Sequence, residues 1–372
     1  MKKYIFASLV MLAAAASADT PTYNLNIQLK DGTSVAYAIS DIDRMTFTEA
    51  TQTAGPVQFA IPTSFTNSYV KKVMSGSKQV AEVCLEYIKA IDKQVTVVYP
   101  CDADGKADLT KGLTSTGATV VWDLTANTAT VGAEGTALTT VYVVDGALAT
   151  TFEGEAAAAN VVDDILVDRR GTETNQYAIT KIGTQYWMAE NLRATKFADG
   201  SDIEKLTGSQ LTEWAANTTG CYLENTEADY VNMAGLLYNG FCVTNEKGIA
   251  PAGWEVPTQA QLDMLKTAAN KKPDNLKSDV EMSWMSGQTG NNMTGFSAIA
   301  TGYFTTANAA GWTEEMTQTW FWSSTIYYDK LTKGDNLDYM RLTGTAKSIT
   351  VSSSALGGHS LQFGHCIRCV RK

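Results

Sequence analysis

Apolar and polar residues alternate through most of the first 160 positions, the period-two signature of strands with one buried face. Tyr23, Leu25, Ile27 and Leu29 alternate with polar neighbours, Asp31-Gly32 marks a turn, and Val35, Tyr37 and Ile39 resume the alternation. Met45 and Phe47 open a third short run. Residues 19–48 are therefore predicted to form a β-hairpin segment, which alone is marginal in water. Residues 49–56 are small, polar and Pro-ended, and read as a linker. From 57 to 160 strand signals come at regular spacing. Ala81, Val83, Leu85 and Tyr87 share one face, Val95, Val97 and Tyr99 follow, then Ala118, Val120, Trp122 and Leu124, then Thr128 to Val131, then Val141 and Val143. Gly, Asn and Asp punctuate the gaps, which predicts a small β-sandwich of immunoglobulin-like type.

The pattern changes from 161 to 372. Tyr177, Ile179 and Ile182, a Gly183-Thr184 turn and Tyr186-Trp187-Met188 read as a hairpin. Thr258 and Gln261 form a capping box ahead of Leu262, Leu265 and Ala269, and Thr207 to Gln210 repeats that signal ahead of Leu211 and Trp214. The rest is Gly-punctuated and strand-like, so the C-terminal part is predicted to be α+β, with two helices beside an irregular antiparallel sheet.

The N-terminus sets the compartment. Lys2-Lys3 precede an apolar run from Tyr4 to Ala16, and Ala16-Ser17-Ala18 supply small residues, so residues 1–18 read as a signal peptide. The run is shorter than the ~20 residues of a spanning helix. Asp19, not Cys, follows the cleavage point, which argues against a lipid anchor. The expected location is outside the cytoplasm, whether secreted, on the outer surface or in the periplasm, with no integral membrane span. Composition narrows the partners. The 372 residues hold 39 acidic and 29 basic side chains, a net charge of −10, and removal of Lys2 and Lys3 makes the mature chain more acidic still. Nucleic acid and anionic lipid surfaces need clustered Lys and Arg and are excluded. Long disorder is excluded as well, since 8 Trp, 16 Tyr and 11 Phe must pack somewhere.

At residues 182–192 the chain becomes recognisable. The run Ile182-Gly183-Thr184-Gln185-Tyr186-Trp187-Met188-Ala189-Glu190-Asn191-Leu192 resembles the opening of the Fibrobacter succinogenes major paralogous domain family. In the family's order there follow Gly235-Leu236-Leu237-Tyr238-Asn239, Pro251-Ala252-Gly253-Trp254-Glu255-Val256-Pro257-Thr258, Gly295-Phe296-Ser297-Ala298, Trp322-Ser323-Ser324-Thr325 and Ile367-Arg368-Cys369-Val370. The resemblance covers roughly 161–372. It implies a secreted or surface-exposed protein, of a kind found mainly in Bacteroidetes and Fibrobacteres, whose C-terminal domain has a C-type lectin-like fold. Glu255 stands where the family usually has His, and Ala250 where it often has Cys, so neither a role for that His nor a disulfide through that Cys transfers.

Export and an even cysteine count in each part favour disulfides among Cys84, Cys101, Cys221, Cys242, Cys366 and Cys369. Cys84 and Cys101 pose a difficulty. A tight hairpin through Lys89–Asp92 puts Cys84 opposite Val97, about four residues from Cys101, too far to bridge at ~3.3 Å per residue. Their pairing stays open. Cys366 and Cys369 have CxxC spacing, but three residues apart on a strand they face opposite ways, which suits bonds to Cys221 and Cys242 better than a redox pair needing a helix N-terminus. Zinc on these cysteines with His359 or His365 makes more demands than disulfides do. The oxygen-rich Asp329, Asp335, Asn336 and Asp338 reads as a solvated loop more than as a calcium site. No metal, cofactor or catalytic residue is expected, and the protein is not expected to be an enzyme.

The aromatic group Trp312, Trp320, Phe321, Trp322, Tyr327, Tyr328 and Tyr339 is the remaining chemistry, because Trp and Tyr faces stack on sugars and anchor interfaces. Trp322 is expected in the core. The ligand-binding candidates are Trp312, Tyr327, Tyr328, Asp338, Tyr339 and Arg341, in the region that lectin-like domains commonly use for display. The expected function is non-enzymatic recognition, adhesion or binding of an extracellular glycan or protein. The alternative is a structural subunit or tip component of a bacterial surface appendage, with self-assembly partners. An enzyme of the formylglycine-generating type is a third reading, for which no cysteine pair or metal site is recognisable.

Overall fold

Alternation yields the first paired strands where the sequence places them. Asn24–Gln28 runs antiparallel to Ser34–Ala38, with Leu25 opposite Tyr37 and Ile27 opposite Val35. The computed structural model describes residues 24–28, 34–38, 55–224, 233–306, 311–331, 333–353 and 357–372. The signal segment, the run at Met45 and Phe47, and the linker up to residue 54 lie outside the described residues. This hairpin belongs to a first unit, Met1–Thr53; a second unit spans Ala54–Lys372.

Strands dominate the second unit and helices are few. Its largest sheet has seven strands in the order Asn160–Asp163, Val70–Ser75, Lys78–Ile88, Lys93–Pro100, Gly112–Thr114, Thr119–Asp123, Thr128–Val131. A four-stranded sheet holds Ala147–Ala149, Thr140–Val144, Val57–Ala60 and Ala157–Ala158. Val57, Phe59, Val141 and Val143 of the smaller sheet pack with Val73, Ala81, Val83 and Val98 of the larger one. Two sheets therefore share a core, but the immunoglobulin-like topology is corrected. From Val70 to Val131 each strand neighbours the next in sequence, a meander in place of a Greek key. Tight connections explain four of its five returns: Gly76, Asp92, Gly117 and Asn127 take positive φ at those turns, and only the link from Pro100 to Gly112 is long.

The Lys78–Ile88 strand is buried on both sides. Ala81 and Val83 face the smaller sheet, while Cys84 and Ile88 join a core with Leu166, Tyr177, Ile179 and Met188. Glu82 and Glu86 lie on that second face and are buried as well. The hairpin Glu173–Ile182 and Gln185–Met188 turns at Gly183-Thr184, as expected, with Ile182 opposite Gln185. Gly183 is required there on two counts. Its φ is +63°, and an added Cβ would meet the Asn127 carboxamide at 2.3 Å. That carboxamide accepts from the Thr184 backbone N–H at 2.7 Å, joining a meander turn to the second hairpin.

Three further sheets follow. One carries Ile165–Arg170, Glu173–Ile182, Gln185–Met188, Val370–Arg371 and Trp254–Glu255; a second holds Glu204–Lys205, Cys221–Leu223, Leu237–Asn239, Gly364–His365, Tyr303–Phe304 and Trp312–Thr313. The third is built on the long hairpin Gln318–Asp329 and Gly334–Thr343, with Thr350–Val351 and His359–Ser360 both alongside its second arm. The helix Gln259–Ala268 has the complete Thr258/Gln261 capping box and buries Leu262 and Leu265. The other expected helix, Leu211–Ala216, starts later than its signal suggests. Gln210 is its N-cap, and the Gln210 side chain reaches back to Thr207 instead. A short helix at Gly240–Thr244, capped by the Asn239 side chain on the Cys242 N–H, has no amphipathic period to betray it.

Candidate ligand-binding face

Two buried polar constructions hold the unit together. The first is an ion pair between Lys181 and Glu86, both fully buried. Tyr99 donates its hydroxyl to Glu86, Trp122 Nε1 donates to Tyr99 at 2.9 Å, and Lys181 Nζ donates to the Gly183 carbonyl at 2.8 Å. The ammonium also lies 4.3 Å from the Trp122 ring centroid. Burying two charges is tolerable only when lone pairs and protons find partners, and here they do.

The second construction gathers the residues of the sequence motifs. Arg368 is 1% exposed; its Nε and Nη2 donate to Asn191 Oδ1 at 3.0 and 2.6 Å, and its Nη1 donates to the Phe296 carbonyl. Its guanidinium lies 4.3 Å from the Phe296 ring centroid and 5.4 Å from that of Phe321. Asn191 Nδ2 donates onward to Ala234 at 2.7 Å. Trp322 Nε1 donates to Tyr238 at 2.8 Å, and the Ser324 N–H to Pro257 at 2.8 Å. Every motif block is thus tied to another, by side-chain or backbone hydrogen bonds. Burial without a carboxylate partner pulls Arg368 down to about 9, and it stays charged at neutral pH.

The aromatic face is built differently. Trp320 lies directly opposite Arg341, and Trp322 opposite Tyr339, in the long hairpin, so all four share one side of the sheet. Two elements distant in sequence join them: His359 beside Leu337, and His365 beside Tyr238. Ring centroids of Trp320 lie 4.7 Å from Tyr339, 4.8 Å from His359, 5.3 Å from Tyr303 and 5.4 Å from His365. Phe363 stacks on His359 at 4.0 Å. His359 Nδ1 and His365 Nε2 are 2.8 Å apart, so one nitrogen carries the proton and the other accepts it. Burial, then Arg341, holds His359 down to about 4; burial, then His359, holds His365 well below the usual range. Both rings are neutral at physiological pH. Trp322 is fully buried, as expected, and Trp320 nearly so, whereas Tyr303, Tyr339, Arg341, His359 and Phe363 are half-buried at the rim.

This face keeps polar groups unspent. The guanidinium of Arg341 lies 5.0 Å from the Trp320 ring centroid, and among the described residues it has no hydrogen bond and no ion pair. The Trp320 Nε1–H is likewise buried without a partner. The larger clefts of the unit contrast with this. One of about 680 Å³ is lined by Tyr69, Glu190, Asn292 and Arg368. There Glu190 is taken by the Ala178 N–H and Arg193, and Asn292 by Tyr69 and Ser297. Another of about 650 Å³ lies against Arg170, whose guanidinium is taken by Asp168, Lys196 and Ile249. These polar groups of the two walls are committed to the protein itself.

Of the six ligand-binding candidates, the structure brings Tyr339 and Arg341 to this face. Trp312 sits in the adjoining sheet opposite Phe304 and donates Nε1 to Thr301 at 2.9 Å. Tyr327 accepts from the Gly358 N–H, and Tyr328 is 60% exposed farther along the hairpin. Asp338 is buried on the other side, accepting from Ser352 at 3.1 Å. Tyr303, His359, Phe363 and His365 were not among the candidates. Histidine count was the available signal, since the only two in the chain fall within its last fourteen residues. No group of three metal-ligating side chains occurs among the described residues.

The disulfide expectation is corrected at all six positions: Cys84, Cys101, Cys221, Cys242, Cys366 and Cys369 are free and buried. The hairpin register puts Cys84 opposite Val97, the arrangement that separates it from Cys101, which instead faces Ala107. Cys221 and Cys366 lie in one core, Cys242 and Cys369 in another. Each thiol has its own setting: Cys366 meets Asn191 and Thr301, and Cys242 donates to the Cys221 carbonyl at 3.5 Å. Burial pushes Cys366 up to about 11 and Cys101, Cys221 and Cys369 to about 12.

Comparison with known proteins follows the motif core. A family model described as the Fibrobacter succinogenes major domain matches residues 180–371. No curated protein and no solved structure matches the chain. The matched span covers more than half the sequence and contains every motif block tied together around Arg368, Asn191 and Trp322. The chain belongs to the Fibrobacter succinogenes major domain family.

Proposed function

We propose that this is an exported, non-enzymatic recognition protein that binds an extracellular saccharide through a C-type lectin-like C-terminal domain. The observation that carries the reading is the half-buried face of Tyr303, Tyr339, His359 and Phe363 around Trp320. Aromatic faces pack against the C–H surfaces of sugar rings, and polar groups at the rim fix orientation. On the lectin-like reading, the long hairpin that carries the face corresponds to the region such domains commonly use to display their ligand site. Buried thiols with raised pKa make poor nucleophiles, which supports a binding role over cysteine chemistry.

The test is a glycan array probed with the folded mature protein beside its Tyr339→Ala and Phe363→Ala variants. The reading expects saccharide binding that both variants weaken. Binding that survives both changes, or an array empty for a folded wild type, overturns it. A surface-appendage subunit is the second reading, favoured by Thr128–Val131, which ends the seven-stranded sheet and offers an edge for strand addition. A mature protein that remains monomeric at high concentration counts against it.

A further inference from the structure

The aromatic face carries one charge, and that charge is unanswered. Tyr339, His359 and Phe363 surround the Trp320–Arg341 pair, and both neighbouring histidines are held neutral by burial. Asp338, next to Tyr339 in sequence, is on the far side of the strand and bound to Ser352. Every other buried or half-buried arginine described above has oxygen partners: Arg170, Arg368 and Arg193 donate to carboxylates or carbonyls, and Arg371 donates to Asp164 at 2.7 Å. Arg341 alone among these keeps a free guanidinium, stacked on a tryptophan whose own Nε1–H is buried and free. A guanidinium fork left open beside neutral rings is matched by a planar oxyanion, which it binds through two parallel N–H donors.

We infer that the ligand of this face is an acidic saccharide, its sugar ring against Tyr339 and Phe363 and its carboxylate on Arg341. The inference rests on the saccharide-binding reading and narrows it to sugars of the uronic or sialic acid class. A single cation suits a single carboxylate. A densely charged polyanion would meet no further cation on this face and would be repelled by a chain of net charge −10. The cation also sits on an aromatic ring at the edge of a low-dielectric cluster, where its pairing with a carboxylate is screened less than at an open surface.

Calorimetric titration of the mature protein tests this with matched monocarboxylate probes: the methyl glycoside of galacturonic acid, a sialylated trisaccharide, and the same two compounds with the carboxylate methyl-esterified. An acidic probe is expected to bind at least tenfold tighter than its ester, with added salt weakening the acid and leaving the ester unchanged. Arg341→Gln is expected to erase the difference, Arg341→Lys to restore part of it, and Lys330→Gln, an exposed cation outside the face, to change nothing. Ester and acid binding equally, or a preference for a sulfated sugar or a peptide carboxylate, overturns the inference while saccharide or protein recognition stands on its own evidence. If neither acid nor ester binds but the array gives neutral sugars, only the inference falls. If calorimetry and array are both empty, the saccharide reading falls with it.

Discussion

Four arginines lie over aromatic rings among the described residues, and two of them, Arg368 and Arg341, do opposite work. Arg368 is enclosed between Phe296 and Phe321 and spends its donors on Asn191 and Phe296. Arg341 lies over Trp320 at the rim of a sheet and spends none. Ring stacking alone therefore says little about role; what separates architecture from recognition is whether the donors are already satisfied inside the fold. The motif residues that identify the family surround the satisfied arginine. The family signature builds the scaffold, and under the proposed reading specificity belongs to residues outside it such as Arg341, His359 and Phe363.

The sharpest way to break the comparison is to remove the satisfied arginine. Arg368→Ala strands the Asn191 carboxamide and the Phe296 carbonyl in the core, and is expected to cost about 3–5 kcal/mol in denaturant unfolding. A loss below about 1 kcal/mol would mean that the motif core is not what holds the domain. Next comes acidification. His359 is held at about 4 when folded, against about 6.5 when exposed, so the unfolded chain takes up the proton first. The stabilisation is complete above about pH 6.5 and is lost as pH falls toward 4, by roughly 3 kcal/mol for a shift of that size. Subtracting the pH profile of His359→Gln from that of wild type isolates this contribution, and a flat difference would contradict the buried neutral pair. Arg341→Gln should then cost less than about 1 kcal/mol, since it breaks no hydrogen bond among the described residues. Smallest of all is the effect of reductant. With six free thiols, dithiothreitol should leave the melting temperature unchanged, and denatured protein should titrate six thiols where native protein titrates none.

Much of this fold was legible because strands announce themselves locally. The alternation of Leu25 with Ile27 and of Val35 with Tyr37, the Gly183-Thr184 turn and the Thr258/Gln261 capping box depend on neighbours a few residues away, and all form. So does the register that holds Cys84 opposite Val97. The meander could not be read, because local alternation is identical in a meander and a Greek key; only the long-range order of strands differs. Glu82 and Glu86 look like solvent-facing positions of an alternating strand until Tyr186 and Lys181 arrive about a hundred residues later to cover them. Disulfides were expected from compartment and count, neither of which reports that the thiols are distributed between two cores. The candidate face was half legible. Tyr339 and Arg341 stood out beside the tryptophans, but His359 reaches Trp320 only through sheet pairing, and Phe363 joins only by stacking on His359.

The contrast between the two arginines is tested most directly by one thermal denaturation experiment, run on wild type and Arg341→Gln with and without the tighter-binding monocarboxylate saccharide at a hundredfold excess over its dissociation constant for wild type. Ligand that binds only the folded state should stabilise wild type by about 2.7 kcal/mol under those conditions. The account predicts unliganded melting temperatures that differ by no more than about 4 °C and a ligand-induced stabilisation of the variant at most about half that of wild type. A larger loss in the unliganded variant, or the same rise in both proteins, would contradict it.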